Sequence, residues 1–162
     1  MLKVVYLQKR RAGSGVGVFQ AALAKAAEND PEIMDLAGYV QSHSLLKGYH
    51  KGELLFYAVE EFSLATAESA RDFASSVASR AMARARADFV DAQKSMEMTV
   101  DVHRVKDRPV PAGEVKNIEF VNRRCGMDLE RFLKYWREVH GPIGSEIPSI
   151  LGYEQNHACH GR

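Results

Sequence analysis

Two stretches of this chain repeat one another in the same order, and this constrains the fold more than any other feature. Arg10-Arg11-Ala12-Gly13, followed by Phe19, matches Arg123-Arg124-Cys125-Gly126, followed by Phe132, at constant offset. Farther on, Gly38-Tyr39-Val40-Gln41-Ser42-His43 matches Gly152-Tyr153-Glu154-Gln155-Asn156-His157 with a one-residue slip. The chain therefore reads as one unit of about one hundred residues and the beginning of a second. The second unit is expected to be a fragment of a longer tandem protein, the alternative being completion by another chain.

The elements of the first unit follow from periodicity. Leu2 to Gln8 is a β-rich run closed by the charged turn Lys9-Arg10-Arg11. Val16 to Glu28 carries Phe19, Leu23 and Ala27 on one helical face, and Asn29-Asp30-Pro31 breaks it. Gly38 to Leu45 and Leu54 to Phe62 read as strands, separated by the loop Lys47-Gly48-Tyr49-His50-Lys51-Gly52. Ala-rich Thr66 to about Gln93 is helical with a break near its middle, and Ser95 to Val105 alternates as a fourth strand. The order βαββαβ is the ferredoxin-like α+β arrangement, with two helices on one face of an antiparallel sheet. Residues 1–106 thus form the first unit, and residues 107–114, with two prolines and a glycine, have linker composition. Residues 115–162 supply the βαβ start of the second: a strand at Val115 to Asn122, a helix at Asp128 to His140, a strand at Gly152 to His160.

The helix of the second unit is the most informative segment. Leu129, Phe132, Leu133, Trp136 and Val139 form one apolar stripe expected to be buried. Asp128 is placed to cap its start, Glu130 lies in its first turn, and Gly141-Pro142 is expected to stop it. His140, four residues after Trp136, then stands at the inner edge of a helix C-terminus. That position suits a general acid or base, although spacing alone favours an ordinary structural histidine.

Composition excludes several classes of function. The chain of 162 residues has a formal net charge of +1, which argues against nucleic acid or an anionic membrane as the main partner. Its apolar runs are short of a membrane span, no signal-peptide core opens the chain, and two cysteines form no disulfide framework. A cytoplasmic location is expected.

Arg123-Arg124-x-Gly126, Phe132-x-x-Tyr135-Trp136-x-x-x-His140-Gly141-Pro142 and Gly152-Tyr153-x-Gln155-Asn156-His157 together resemble the EthD family of the dimeric α+β-barrel superfamily. The resemblance is strong over residues 116–157 and weak over residues 1–105, where Leu23 replaces the tryptophan and Ala27 aligns with the histidine. It implies ferredoxin-like units whose sheets join into a barrel, within or between chains. It also implies a homodimer and a cofactor-independent lyase, isomerase or cyclase acting on a small aromatic or polyketide-like molecule. The alternative is a non-catalytic small-molecule-binding or assembly protein of the same fold. Haem handling, known elsewhere in the superfamily, ranks behind both.

Strand alternation sorts the candidate site residues. Tyr39, Gln41 and His43 share one side of a strand, as do Tyr153, Gln155 and His157. In the fourth strand Glu97, Thr99, Asp101 and His103 lie opposite Met96, Met98, Val100 and Val102. If these polar-aromatic sides face away from the helices, they line the barrel as a pocket suited to proton transfer. If not, they are merely solvated. His140 is the first choice for a catalytic group, because helix C-terminal carbonyls favour its protonated form, with His157 or Glu119 as complementary base. Tyr135, Trp136, Tyr153, Gln155, Tyr39, Gln41, His43 and His103 are the expected substrate-binding residues.

Competing motifs are weaker. Gly13-Ser14-Gly15-Val16-Gly17 departs from a dinucleotide loop in its spacing, and His157-Ala158-Cys159-His160 lacks a second cluster for a metal, so no cofactor or metal is expected. The arginine pairs at residues 10–11 and 123–124 read as a solvated turn or an anion anchor, and Arg71, Arg80, Arg84 and Arg86 as a charged outer helix face.

Overall fold

A β-branched run with no charge except Lys3 is suited to the middle of a sheet, and β1 (Leu2–Gln8) takes that place. The computed structural model of the chain describes residues 1–28, 30, 33, 36–45, 53–73 and 76–161. After β1 come α1 (Val16–Glu28), β2 (Gly38–His43), β3 (Ala58–Leu64), α2 (Ala67–Phe73), α3 (Val77–Arg86) and β4 (Met96–Asp107). Beyond them lie α4 (Leu129–Tyr135), a π-helical turn (Trp136–His140), α5 (Gly141–Ser145) and β5 (Gly152–Gly161). The strand order β2-β3-β1-β4-β5 contains the ferredoxin-like order of a βαββαβ unit, with β3 and β4 antiparallel to β1 and β2 antiparallel to β3. The fold class is α+β. The chain forms two compact units, Met1–Asp101 with Ala158–Arg162, and Val102–His157, and β4 passes from one to the other.

In the first unit the helices cover one face of the sheet. Phe62, fully buried on β3, meets Tyr6 at 5.5 Å, Tyr39 at 5.0 Å and Phe73 of α2 at 5.3 Å between ring centroids. Met82 of α3 completes that cluster, while Phe19 and Leu23 of α1 pack with Leu54, Tyr57, Ala58 and Val90. The Ser76 side chain accepts from the Ser79 N–H at 2.9 Å and caps the start of α3, so the Ala-rich region is not one helix.

Several sequence expectations are corrected. Tyr39 joins the Phe62 cluster, and Gln41 donates to the Leu23 carbonyl of α1, so Tyr39, Gln41 and His43 face the helices and not a barrel interior. Directly paired residues share a face, so Glu97, Thr99 and Asp101, opposite Tyr6, Val4 and Leu2, lie on that side too. Val115 to Asn122 makes no strand. The described residues hold no partner ladder for it, and Val115 and Phe120 stand 70% and 48% exposed. Gly141-Pro142 does not end the helix either. Proline lacks an N–H and would clash with the carbonyl four residues earlier, and the turn 136–140 widens so that Gly141 N–H reaches the Trp136 carbonyl and α5 continues. Leu129 and Val139 of the apolar stripe are exposed, with Phe132, Leu133 and Trp136 half-buried. The loop at residues 47–52 and Asn29 and Pro31 of the first helix break lie outside the described residues.

Because Phe62 joins three other rings at full burial, its loss should be costly. Phe62→Ala is expected to lower unfolding free energy by about 3–5 kcal/mol, read from urea denaturation. A change below about 1 kcal/mol would show that the cluster does not organise this core.

Candidate functional site

The second unit brings together six of the residues singled out from sequence. The Asp128 carboxylate accepts from the Arg131 N–H at 2.7 Å and starts α4 as expected, and the helix presents Phe132 and Trp136 on one side. Their rings stack at 5.6 Å, and the Trp136 indole lies over the His157 imidazole at 4.8 Å with 7° between planes. His103 meets His157 edge-on at 6.4 Å. Two glycines permit the strand to approach this closely. A Cβ on Gly144 would stand 2.9 Å from Tyr153 Cε1, and one on Gly141 would stand 3.1 Å from Gln155 Nε2.

Gln155, 1% exposed, sets the direction of the hydrogen bonds. Its Nε2 donates to the Trp136 carbonyl at 2.7 Å, and a carbonyl can only accept, so the amide orientation is fixed. Oε1 then faces His157 Nε2 at 3.3 Å and accepts from it. The second Nε2 hydrogen reaches Tyr153 Oη at 3.1 Å, and Tyr153 Oη lies 3.2 Å from His140 Nδ1, where either atom can donate. The result is a ladder whose direction is set from His157 to Gln155 and from Gln155 to Tyr153, and which ends on the exposed His140 imidazole. The helix runs on to Ser145, so the expected influence of C-terminal carbonyls on His140 is corrected: no helix end lies beside it.

The matched strand of the first unit carries the same ladder. His43 Nε2 donates to Gln41 Oε1 at 2.6 Å, and Gln41 Nε2 to Tyr39 Oη at 2.7 Å and to the Leu23 carbonyl at 3.3 Å. Here the terminal acceptor is a carboxylate, since Tyr39 donates to Glu60 Oε1 at 2.7 Å. Burial first, then the Glu60 charge, pushes the Tyr39 hydroxyl well above the ordinary phenol range. Burial also pushes the half-buried His43 below the ordinary imidazole value, which Glu60 only partly offsets. The arginine turns match as well. Arg10 donates to the Ser14 carbonyl at 2.6 Å and Arg123 to the Met127 carbonyl, around glycines with φ of +85° and +80° at 13 and 126. In each turn the first arginine braces its own loop.

Other candidates stand apart. Glu119 accepts from Asn117 Nδ2 at 2.8 Å on an exposed segment and is not in the ladder. Tyr135 is 53% exposed on α4. Among the described residues no three His, Cys, Asp or Glu side chains converge on a metal site, and no helix is long and apolar enough to cross a membrane. Sequence reasoning missed Glu60 and Arg86. The pair is buried at 0% and 5% exposure with Arg86 Nη2 2.8 Å from Glu60 Oε1, so Arg86 is not on an outer face. The one available signal was two glutamates inside the apolar run of β3.

No family model and no curated protein matches the chain. Among solved structures it is similar to a dimeric protein of unknown function and ferredoxin-like fold from Bacteroides fragilis. That match has 14% identity and a TM-score of 0.45, over 60% of this chain and 92% of that one. It is also similar to a protein of Arabidopsis thaliana, with 13% identity and a TM-score of 0.46, over 62% of this chain and 94% of that one. The fold assignment rests on the strand order of the chain itself and not on these likenesses.

Two expectations follow. Gln155→Leu should cost about 1–3 kcal/mol by removing its hydrogen bonds to the Trp136 carbonyl, Tyr153 and His157. Gln155→Glu should cost more near neutral pH, since its charged acceptor faces the Trp136 carbonyl, and should recover in part on acidification. Equal stability of both variants with the parent would contradict the ladder. For His43 the folded-state value lies below the unfolded one, so the unfolded chain binds the proton first. Its contribution is complete above about pH 6.5 and lost as pH falls towards the lowered folded value. Urea midpoints should decline over that window in the parent and decline less in His43→Gln. Parallel curves would contradict the assignment.

Proposed function

We propose that the chain is an EthD-type protein of tandem ferredoxin-like units whose second unit performs cofactor-independent acid–base chemistry on a small aromatic or polyketide-like molecule. The observation that supports this reading is the ladder from His157 through Gln155 and Tyr153 to His140, and the reading takes Tyr153 as the donor to His140 Nδ1, with the His140 proton on the exposed Nε2. In the acid direction Nε2–H passes its proton to a substrate oxygen while Nδ1 takes the Tyr153 proton, and the tyrosinate oxygen stays bonded to Gln155 Nε2. The base direction reverses each transfer. The π-helical turn that ends in His140 supports the reading, since such turns recur at functional sites. Tandem repetition is supported by the matched ladders and braced turns, with the terminal acceptor Glu60 in one unit and His140 in the other. The exposed Val115, Ile118 and Phe120 favour a homodimer, and two exposed cysteines without a disulfide fit a reducing cytoplasm.

The experiment pairs turnover with stability. A thermal-shift panel of phenolic acids and polyketide fragments supplies the substrate. His140→Ala should then shift stability by no more than about 0.5 kcal/mol, as an exposed substitution does. It should lower turnover by roughly a hundredfold or more. Full specific activity in a folded His140→Ala protein would overturn the catalytic reading in favour of a binding or assembly role.

A further inference from the structure

Every residue from 108 to 126 is exposed, and none of them belongs to a helix or strand. Connections of that length are uncommon unless they serve as a linker or a binding segment. The part up to Gly113 has linker composition, but Val115-Lys116-Asn117-Ile118-Glu119-Phe120-Val121 has the composition of a strand. It also stands at the offset that relates Arg10 to Arg123, which makes it the counterpart of β1. Lys116, Ile118 and Phe120 fall where β1 has Lys3, Val5 and Leu7. β1 is bonded on both sides, by β3 and β4, and its Val5 and Leu7 are buried. Among the described residues no strand pairs with residues 115–121, whose Val115, Ile118, Phe120 and Val121 are exposed. Asn117 Nδ2 donates to Glu119 Oε1 at 2.8 Å, and residues i and i+2 share a side in an extended backbone. A strand-like run without neighbours is a template for pairing with another chain.

We propose that residues 115–121 of two copies of this chain pair as an antiparallel ribbon about a two-fold axis at Ile118. In an antiparallel pair, hydrogen-bonded and non-hydrogen-bonded positions alternate, so the two-fold axis must pass through a residue that faces its own copy. Three registers keep the run largely paired, with the axis at Asn117, Ile118 or Glu119. At Glu119 it would set two carboxylates directly opposite, which is destabilising. At Asn117 it would set Lys116 against Ile118 and Glu119 against Val115, a charge against an aliphatic side chain each time. At Ile118 every residue meets a compatible one in the second copy: Ile118 meets Ile118, Asn117 meets the Glu119 carboxylate, Lys116 meets the Phe120 ring, and Val115 meets Val121. The run is self-complementary when read against itself, which is what a two-fold interface requires and what selects a second copy as its partner. This ribbon rests on the homodimer reading and not on the chemistry assigned to His140.

The test uses the full chain with Cys125→Ser and Cys159→Ser, since both native cysteines are exposed. Sedimentation should show a reversible dimer with a Kd between roughly 1 μM and 1 mM, because a two-stranded ribbon is a small interface. Ile118→Asp sets two carboxylates facing each other on the axis and should weaken that dimer about tenfold or more. Residue 118 is exposed, so the variant should melt with the parent. Under mild oxidation Ile118→Cys should cross-link to itself, as facing residues lie within disulfide reach. Lys116→Cys and Phe120→Cys should each fail to cross-link alone and should cross-link when mixed. A chain that stays monomeric to about 1 mM would overturn the ribbon and the homodimer together. A dimer undiminished by Ile118→Asp, or a Lys116→Cys chain that cross-links alone as readily as in the mixture, would overturn the ribbon and leave the homodimer standing.

Discussion

A buried glutamine amide bonded to a helix carbonyl is the constraint on which the candidate site depends. An amide has one acceptor and two donor hydrogens, and once Nε2 is committed to a carbonyl no rotation of the group is free. Gln155 is held this way by Trp136, and the roles of His157 and Tyr153 towards the amide follow from that bond. The same bond also fixes where the strand can lie against the helix. A Cβ at 141 or 144 would stand 3.1 Å from the amide or 2.9 Å from the Tyr153 ring and would push that side chain back. Sequence, packing and proton placement are thus linked through one side chain.

The first unit uses the same device with a different ending. There Gln41 holds the Leu23 carbonyl, and the ladder runs into Glu60, a carboxylate that Arg86 and Gln8 also bind. A buried ion pair is weak evidence for net stability, since desolvation of both partners opposes their attraction. Its clearer consequence is positional: Glu60 anchors β2, β1 and α3 to one point. In the second unit the ladder ends on an exposed imidazole. A buried carboxylate held by an arginine, a tyrosine and a glutamine is out of reach of solvent, whereas an exposed imidazole can gain or pass a proton. The two ladders differ in their last partner, Glu60 in one and His140 in the other.

Much of the frame was legible in the sequence because it rests on local rules. The βαββαβ order of the first unit, the Asp128 cap and the helix break before Val77 all follow from periodicity, capping and propensity. Alternation also told which residues share a face, placing Tyr39 with Gln41 and His43. It could not tell which face that is, because tyrosine and histidine with internal partners sit as well under helices as against solvent. Val115 to Asn122 has strand composition, yet a strand exists only with a neighbour to bond. Pro142 reads as a stop because the rule assumes an α-helical turn, and the π turn before it removes that assumption. Glu60 and Arg86 come from separate elements, so nothing in their spacing announced the pair. The repeat singled out Tyr153, Gln155 and His157, the apolar stripe and the family resemblance singled out Trp136 and His140, and strand alternation His103, while Glu119 was added by type and lies elsewhere.

The direction of the ladder is the central claim, and it is read most directly from the protonation of its two histidine rings. Long-range proton–nitrogen correlation spectra of the imidazoles, recorded above their titration, distinguish a bare ring nitrogen from one that carries hydrogen. His140 should show a bare Nδ1 and a protonated Nε2, and His157 a protonated Nε2. A protonated Nδ1 in neutral His140, or a bare Nε2 in His157, would contradict the ladder and the proton transfer built on it.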